Sequence, residues 1–182
     1  MAPASSRLTY SSLPQEIKSI ANNSLGIGVL KSLFDYSKTY HLMIKISDGA
    51  FVGFVLYHFE KRKMGRKNYT TGIIDAVCVG LEYRKEGFGT LLTHSVLRKL
   101  SAKGVDRVEI TLRSPSDYDA ETMPNVPLMG SPDLLKAMGF RIIESIPGKY
   151  YQASQKYGYE CIICRHKPCT CRGVLFAINA TD

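Results

Sequence analysis

Hydrophobic and polar residues alternate along several segments of the chain, and this alternation predicts β-strands. Asp48 and Gly49 separate the first two segments, and this pair is typical of a tight hairpin turn. The third segment is an apolar run rich in β-branched residues, which favours a buried strand. Five strands are predicted, over residues 41–46, 51–59, 72–79, 106–112 and 140–146.

Four other segments carry apolar residues at the spacing of an α-helix. The longest of them contains Leu92, Val96 and Leu100. The shortest has Ser131 in position to cap its N-terminus and Pro132 at its first turn, where the missing N–H costs nothing. The predicted helical segments are residues 13–20, 29–36, 90–103 and 132–138.

The remaining stretches are expected to be irregular. Residues 1–12 are expected to be loose, residues 61–71 to form a charged loop, and residues 113–130, with three prolines, to form an inserted loop. A chain of 182 residues suits one domain. The order of strands and helices predicts a single α/β domain over residues 1–182, with a Cys-rich hairpin over residues 158–182.

A short turn, Arg84-Lys85-Glu86-Gly87-Phe88-Gly89, joins the predicted strand 72–79 to the predicted helix 90–103. A glycine turn that opens a helix presents unpaired backbone N–H groups, and the helix dipole adds positive potential there. The two glycines allow an anion to approach the backbone closely, and the two cations add charge. The turn is predicted to bind a diphosphate. The candidate cofactor-binding residues are Val77, Cys78, Val79, Arg84, Lys85, Glu86, Gly87, Phe88, Gly89 and Thr90.

Neither a P-loop nor a dinucleotide fingerprint is present in the sequence. The arrangement Arg-x-x-Gly-x-Gly after an apolar strand instead resembles the coenzyme A turn of GNAT-type N-acetyltransferases. The short helix before Gly139-Phe140 and the strand after it follow the order of that family. The resemblance implies a mixed, mostly antiparallel sheet that is splayed near its middle and flanked by helices. It also implies acetyl-CoA as cofactor and direct acetyl transfer to an amine in a ternary complex.

The run from Met138 to Glu144, followed by Gly148-Lys149-Tyr150-Tyr151, resembles the protein N-terminal acetyltransferases within that family. In these enzymes a double tyrosine helps to hold the acceptor peptide, so the resemblance implies that Tyr150 and Tyr151 bind substrate. The favoured acceptor is a protein or peptide N-terminus, with a protein lysine second and a small amine or polyamine third. Asp117, Asp119 and Glu121 are the acidic residues that a polyamine would need.

Three proton-handling residues that the resemblance implies are replaced here, by Ile73, Thr111 and Leu135. The predicted catalytic residues are therefore Asp75, Glu109 and Tyr151. Strand alternation is expected to place Ile73, Asp75 and Val77 on one face of the sheet, and Glu109 with Thr111 on one face of the next strand. A buried carboxylate has a raised pKa and can act as a base near neutral pH. A non-catalytic acyl-CoA-binding module is the alternative.

Four of the five cysteines lie close together in the sequence, at Cys161, Cys164, Cys169 and Cys171. Thiolates at such spacing can bind a structural Zn²⁺. Residues three apart on an extended strand point to opposite faces, so a metal site requires the chain to turn between Cys161 and Cys164. Free thiols and disulfides are the other two interpretations.

The formal net charge is +8, and part of it is concentrated in residues 61–67 and 165–172. These basic segments predict contact with a ribosome or nucleic acid, or alternatively a solvated surface that attracts an anionic cofactor. A zinc-stabilised adaptor that contacts nucleic acid is a further alternative. The sequence shows neither a membrane span nor a secretory signal, so the expected compartment is the cytoplasm, or the nucleus.

Overall fold

The computed structural model describes residues 8–34, 37–65, 67–116 and 132–180. Five helices and six strands follow one another in these ranges, with one 3₁₀ turn at Leu81–Tyr83. The helices are α1 (Gln15–Leu25), α2 (Val29–Leu33), α3 (Phe88–Ala102), α4 (Pro132–Ala137) and α5 (Tyr151–Tyr157). The strands are β1 (Tyr40–Ser47), β2 (Ala50–Met64), β3 (Lys67–Val79), β4 (Arg107–Ser114), β5 (Arg141–Ile146) and β6 (Arg172–Asn179).

The six strands form one sheet in the order β1-β2-β3-β4-β6-β5. Every neighbouring pair is antiparallel except β3 and β4, which are parallel. The parallel pairing runs only from Thr71 opposite Arg107 to Ile74 opposite Ile110, although both strands continue beyond it. The two strands therefore diverge, which gives the splayed sheet that the family resemblance implies. We call the gap between β3 and β4 beyond Ile74 and Ile110 the splay.

A bulge in β3 lies at the start of the splay. Leu56 of β2 is opposite Ala76, but the next residue, Tyr57, is opposite Ile74, so Asp75 is the extra residue. A bulge of this kind shifts the alternation of side chains between the two faces of a sheet. Val77 consequently packs with the α3 side of the sheet. The expectation that Ile73, Asp75 and Val77 share one face is wrong, because strict alternation ends at the bulge.

Two apolar clusters cover the two faces of the sheet. On the first face, α1 and α2 pack Ile17 and Leu30 against Phe54 and Leu56 of β2. On the second face, α3 and α4 pack against β3, β4 and β6. Burial of these side chains provides the main favourable free energy of folding. The residues of the second cluster include Leu92, Val96, Leu100, Ile110, Leu135, Phe140 and Phe176.

The basic segment 61–71 is not a loop, which corrects the sequence prediction. Most of it belongs to the β2–β3 hairpin, where Lys63 is opposite Asn68 and Glu60 is opposite Thr71. Pairing with a neighbouring strand and ion pairs on the sheet face allow this charged sequence to be a strand despite its composition.

Other boundaries differ by a few residues. The loop predicted over 113–130 begins later, because Arg113 and Ser114 complete β4; residues 117–131, including Ser131, lie outside the described residues. Residues 8–12 form a turn in which Ser12 Oγ donates to the carbonyl of Thr9 at 2.8 Å. None of the helices in the described ranges is both long enough and apolar enough to cross a bilayer.

We predict that Gly53→Ala destabilises the fold. A Cβ at Gly53 would lie 2.5 Å from the backbone oxygen of Cys78 and 3.1 Å from Leu92 Cδ1, so two strands and α3 must move. The expected loss is about 1–3 kcal/mol of unfolding free energy, typical of an overpacked core. Urea denaturation measures it.

Gly89→Ala is the matched control, because a Cβ there meets only Val79 Cγ2, at 3.9 Å. Alanine in place of a helical glycine is expected to leave stability unchanged or to raise it by about 0.5–1 kcal/mol. Equal unfolding free energies for Gly53→Ala and the unmodified protein would contradict the close contact.

Candidate active site

The glycine turn forms an open cradle at the N-terminus of α3. Gly87, which precedes the helix, has φ +83°, and Lys85 has φ +69°. Leu91 is the residue whose N–H first returns to the turn, at 3.0 Å from the carbonyl of Gly87. The N–H groups of the first helical turn therefore point outward. A Cβ at Gly87 would meet nothing within 4 Å, so the space in front of these groups is open.

Arg84 anchors the turn as well as supplying charge. Its Nε donates to the carbonyl of Val79 at 3.3 Å, and its Nη2 donates to Ser24 Oγ at 3.0 Å. These bonds connect the end of β3 to α1. Lys85 is exposed, and so is Glu86. Of the predicted cofactor residues in the turn, Lys85 thus offers an exposed cation, whereas the guanidinium of Arg84 is engaged.

The free edge of β3 offers backbone groups to the splay. Gly80 N–H donates to the carbonyl of Val52 at 2.9 Å, so Gly80 points its backbone groups at β2. Backbone groups alternate between the two edges of an antiparallel strand, which directs those of Val77 and Val79 away from β2. The carbonyl of Val79 is bound by Arg84, whereas Val77 faces the gap that β4 leaves. An edge of this kind can pair with an amide of a ligand or bind a carbonyl oxygen.

Cys78, predicted near the thioester, points away from the splay. Its side chain is 1% exposed and belongs to the cluster under α1. Burial raises the pKa of this thiol to about 12, so the thiol is neutral. Cys78 therefore contributes packing rather than a nucleophile.

Asp75 forms a buried pair with His58, a residue that the sequence analysis did not identify. The Nδ1 atom of His58 lies 2.7 Å from Asp75 Oδ2, and the two side chains are 1% and 13% exposed. Its Nε2 atom lies 3.1 Å from Lys38 Nζ and 3.2 Å from Glu60 Oε1. Lys38 in turn donates to Glu60 at 2.8 Å. One signal was present in the sequence: His58 is a polar residue within the otherwise apolar segment 51–59.

The pKa values of this pair are shifted by burial and by each other. Burial raises the pKa of Asp75, and the hydrogen bond from His58 opposes that shift. For His58, burial would lower the pKa, but the hydrogen bond and the negative charge of Asp75 raise it above its ordinary value. Burial of Glu60 is outweighed by its hydrogen bonds to Lys38, His58 and Arg62, which lower its pKa to about 2. The shifts of Asp75 and His58 both favour retention of a proton by the pair.

Glu109, the second predicted base, is enclosed by arginines. Both of its oxygens accept from Arg62 Nη1, at 3.1 and 3.0 Å, and Arg107 Nε lies 2.9 Å away. The residue is 5% exposed. Because two cations balance its charge, Glu109 holds the β2–β3 hairpin against β4, and its carboxylate is not presented to the splay.

Lys149 lies against the β4 side of the splay. It follows β5 and crosses over β6, where a Cβ at Gly173 would meet its Cδ at 2.4 Å. Its Nζ donates to Thr111 Oγ1 at 2.9 Å. Thr111 occupies a position where the family resemblance implies a histidine, so a lysine contact replaces that group here. Burial lowers the pKa of Lys149, and the negative charge of Glu109 opposes the shift.

The two tyrosines after Lys149 have different environments. The ring of Tyr150 packs against the guanidinium of Arg113, 3.9 Å from the ring centroid, and burial raises its pKa to about 12. Tyr151 is 44% exposed at the start of α5. Of the two predicted acceptor contacts, Tyr151 is thus open to a substrate, whereas Tyr150 packs against Arg113. We call the segment from Lys149 to Tyr151 the acceptor wall.

The four cysteines of the C-terminal segment lie together. Their sulfur atoms are all within 4.8 Å of one another. The N–H of Arg165 donates to the carbonyl of Cys161 at 3.0 Å, so the chain turns between Cys161 and Cys164 as a metal site requires. The segment consists of turns that lead directly into β6, rather than of paired strands.

The glycine cradle and the splay are the features of an acetyl-CoA site, and comparison with known families agrees. The model of the Acetyltransferase (GNAT) family matches residues 13–121, more than half of the chain. The chain belongs to this family. It is therefore an acyltransferase that uses acetyl-CoA, as the sequence predicted. A comparison with curated proteins found no significant sequence match.

Solved structures of other acetyltransferases have the same fold. The ribosomal-protein-S18-alanine N-acetyltransferase from Escherichia coli aligns with a TM-score of 0.58 and 13% identity, over 96% of this chain and 92% of that one. The IAA acetyltransferase from Bacillus cereus aligns with a TM-score of 0.57 and 14% identity, over 95% and 96%. An aminoglycoside 6'-N-acetyltransferase complexed with coenzyme A gives 0.59 and 11%, over 91% and 89%. These three enzymes are named for different acceptors, so the fold alone does not identify the acceptor of this chain.

We predict that Gly89→Ala, although stable, binds acetyl-CoA poorly. The new methyl group would lie 3.9 Å from Val79 Cγ2, within the first helical turn whose N–H groups are unpaired, and would narrow the approach of a diphosphate to them. We expect the KM for acetyl-CoA to rise about tenfold or more, comparable to losing one hydrogen bond to a charged group. Steady-state kinetics and calorimetric titration with coenzyme A measure the effect, and an unchanged affinity would place the diphosphate elsewhere.

We also predict a pH-dependent stability that arises from His58. Because its folded-state pKa is raised, the stabilising contribution is complete below its ordinary value of 6.5 and is lost as the pH rises through the folded-state value. His58→Asn keeps a donor toward Asp75 but does not titrate. Denaturation of both proteins between about pH 5.5 and 9 should show the advantage of the unmodified protein shrinking as the pH rises. A difference that is constant or that grows with pH would exclude this sign.

Proposed function

We propose that this chain transfers the acetyl group of acetyl-CoA to the α-amine of a protein or peptide N-terminus. The observation that supports this acceptor is the charge balance of the splay. Three carboxylates on the first face near the gap are paired with cations: Asp75 with His58, Glu60 with Lys38 and Arg62, and Glu109 with two arginines. Lys149 adds a further positive charge on the opposite wall.

This balance disfavours a polyamine or an aminoglycoside. Such acceptors carry several positive charges, and each charge that enters a partly buried site requires a compensating carboxylate. The described residues of the splay offer no surplus of negative charge. A peptide N-terminus brings a single amine, and the rest of the acceptor is neutral or polar.

The available base also favours an N-terminus over a lysine. At about pH 7.5 roughly a third of α-amines with a pKa near 7.8 are neutral, compared with roughly one in a thousand lysine amines with a pKa near 10.4. His58 is 1% exposed and cannot itself contact an acceptor. Deprotonation therefore depends on Asp75, directly or through water, and this carboxylate is already hydrogen-bonded. Such a site suits an amine of which a large fraction is already neutral.

The reaction proceeds in a ternary complex. The amine nitrogen attacks the thioester carbonyl carbon, the carbon–sulfur bond breaks, and the products are the N-acetyl peptide and coenzyme A. The backbone N–H of Val77 is oriented to bind the thioester oxygen as it becomes negative. Asp75 accepts the proton that the amine loses, and His58 positions Asp75 and adjusts its basicity. The leaving thiolate takes its proton from solvent, and Asp75 later releases the proton of the amine to solvent, so the protons balance.

Acceptor selection involves Tyr151 and the β2–β3 hairpin in this proposal. Tyr151 is exposed beside Lys149 and can contact the peptide backbone. Lys61, Lys63 and Lys67 are exposed on the hairpin and provide a basic surface for an acidic peptide or a ribosome. Arg62 does not contribute to that surface, since its guanidinium is bound to Glu60 and Glu109.

The test measures coenzyme A release with three acceptors: a lysine-free peptide with a free N-terminus, an N-blocked peptide with one internal lysine, and spermidine. We expect release with the first acceptor alone. Asp75→Asn should lower kcat/KM about a hundredfold or more, the usual effect of removing a general base, and should leave acetyl-CoA binding intact. Asp48→Asn, the same change at an exposed hairpin turn, is the matched control and should retain full activity.

Two outcomes would contradict this assignment. Faster release with the blocked peptide would make lysine the acceptor. Tight acetyl-CoA binding without release from any acceptor would favour a non-catalytic acyl-CoA-binding module.

A further inference from the structure

The four clustered cysteines form a compact tetrad that the transfer reaction does not use. Cys161 Sγ lies 3.7 Å from Cys171 Sγ, and Cys164 Sγ lies 3.6 Å from Cys169 Sγ. All four are free thiols in the structure. Cys161, Cys169 and Cys171 are at most 2% exposed, and Cys164 is half-buried at the rim.

We propose that these four cysteines bind one Zn²⁺ as a tetrathiolate centre. Zinc–sulfur bonds of about 2.3 Å in a tetrahedron place neighbouring sulfurs about 3.8 Å apart, close to the two distances observed. Backbone N–H groups also lie near two of the sulfurs, where they favour the thiolate form. The N–H of Cys164 lies near the sulfur of Cys161, and those of His166 and Thr170 lie near the sulfur of Cys164.

Arg113 provides the charge that such a centre requires. One zinc and four thiolates carry a net charge of minus two, which is costly in a buried site without a cation nearby. The Arg113 side chain, from a residue that is 5% exposed, lies beside Cys161 and donates through Nη2 to Tyr159 OH at 3.5 Å. Its Nη1 has no hydrogen-bond partner among the described side chains. Four neutral thiols or two disulfides would leave this buried guanidinium without an anion, whereas a zinc tetrathiolate balances it.

The centre is structural, because four protein ligands leave no position for a substrate. It lies between α5 and the segment that joins α1 to α2. The N–H of Cys169 donates to Ser154 Oγ in α5 at 2.7 Å, and the N–H of Glu160 donates to the carbonyl of Ile27 between α1 and α2 at 3.0 Å. At Gly26 a Cβ would lie 2.0 Å from the Glu160 carbonyl oxygen, so the two segments touch through backbone.

The centre also supports the acceptor wall, a consequence that rests on the proposed function. Arg113 lies between the rings of Tyr150 and Tyr159, at 3.9 and 5.2 Å from their centroids. Tyr159 OH donates to the carbonyl of Tyr150 at 2.9 Å. Loss of the metal would free Arg113 and loosen the segment that carries Lys149 and Tyr151. We therefore expect metal removal to raise the KM for the acceptor more than the KM for acetyl-CoA.

Metal analysis of the full chain tests the centre without any measurement of activity. We expect about one zinc per chain, with nanomolar or tighter affinity in competition with a chromophoric chelator. Cobalt(II) in its place should give the intense visible absorption of tetrahedral thiolate coordination. Cys164→Ser, at the least buried ligand, should weaken zinc binding at least about a hundredfold. Cys78→Ala, at the buried cysteine outside the tetrad, is the matched control and should keep the metal.

The role of Arg113 has its own variants. Arg113→Gln removes the cation and should weaken zinc binding by about 10–100-fold, the usual effect of an outer partner, whereas Arg113→Lys should recover much of that loss. Equal zinc affinities for Arg113→Gln and Arg113→Lys would show that a positive charge at this position does not stabilise the bound metal.

Thiol titration distinguishes the competing states of the tetrad. Four thiols that become reactive only after chelation would support the zinc centre. Two disulfides, or four reactive thiols in protein purified and refolded with zinc, would overturn it. Zinc binding with an unchanged acceptor KM after metal removal would refute only the link to the acceptor wall. Failure of acetyl transfer to the peptide would leave the metal result unaffected.

Discussion

The divergence of β3 and β4 after Ile74 and Ile110 is the constraint on which the site depends. While the strands pair, their backbone groups are satisfied; where they separate, Val77 is left with an unpaired edge facing the gap. The bulge at Asp75 lies at the same place, and it brings a carboxylate to the first face beside His58. The open edge and the carboxylate thus arise from one local irregularity of the sheet. In the proposed complex, the cradle at the end of β3 directs the thioester cofactor along that edge.

Charge pairing fixes the geometry around the gap. Buried ion pairs contribute little net stability, because desolvation offsets their attraction, but removing one partner leaves an unpaired charge at high cost. The groups around His58 therefore have few alternative arrangements, and Glu60, with a pKa of about 2, stays anionic at every physiological pH. The same pairing holds both oxygens of Glu109 on arginine nitrogens, so this carboxylate is not presented to an amine in the splay.

Local features of this site are readable from the sequence, and non-local ones are not. The glycine turn, the helix after it and the order of the strands depend on neighbouring residues, so their pattern predicts them. His58 and Asp75 meet because β2 and β3 are in a particular register with a bulge, and no local pattern encodes a bulge. The charged strand at 61–64 was predicted as a loop for a similar reason. Arg62 in this strand forms an ion pair with Glu109, which lies on β4, and composition alone does not reveal a pairing between residues so far apart in the sequence.

The acceptor wall, opposite Asp75, has only a small apolar core, which explains why a bound metal would stabilise this part of the chain. Helix α5 has seven residues, too few to be stable alone, and the apolar cluster beneath it consists mainly of Val29, Tyr159 and the cysteines. So small a cluster buries little apolar surface, and the chain here must still hold Lys149 and Tyr150 in fixed positions. Coordination bonds and a cation between two aromatic rings can replace the missing core, since both act over short distances and need few residues. On this view the cysteines and the acceptor wall are one structural unit. The metal-bound tetrad stabilises this wall, as the two apolar clusters stabilise the rest of the sheet.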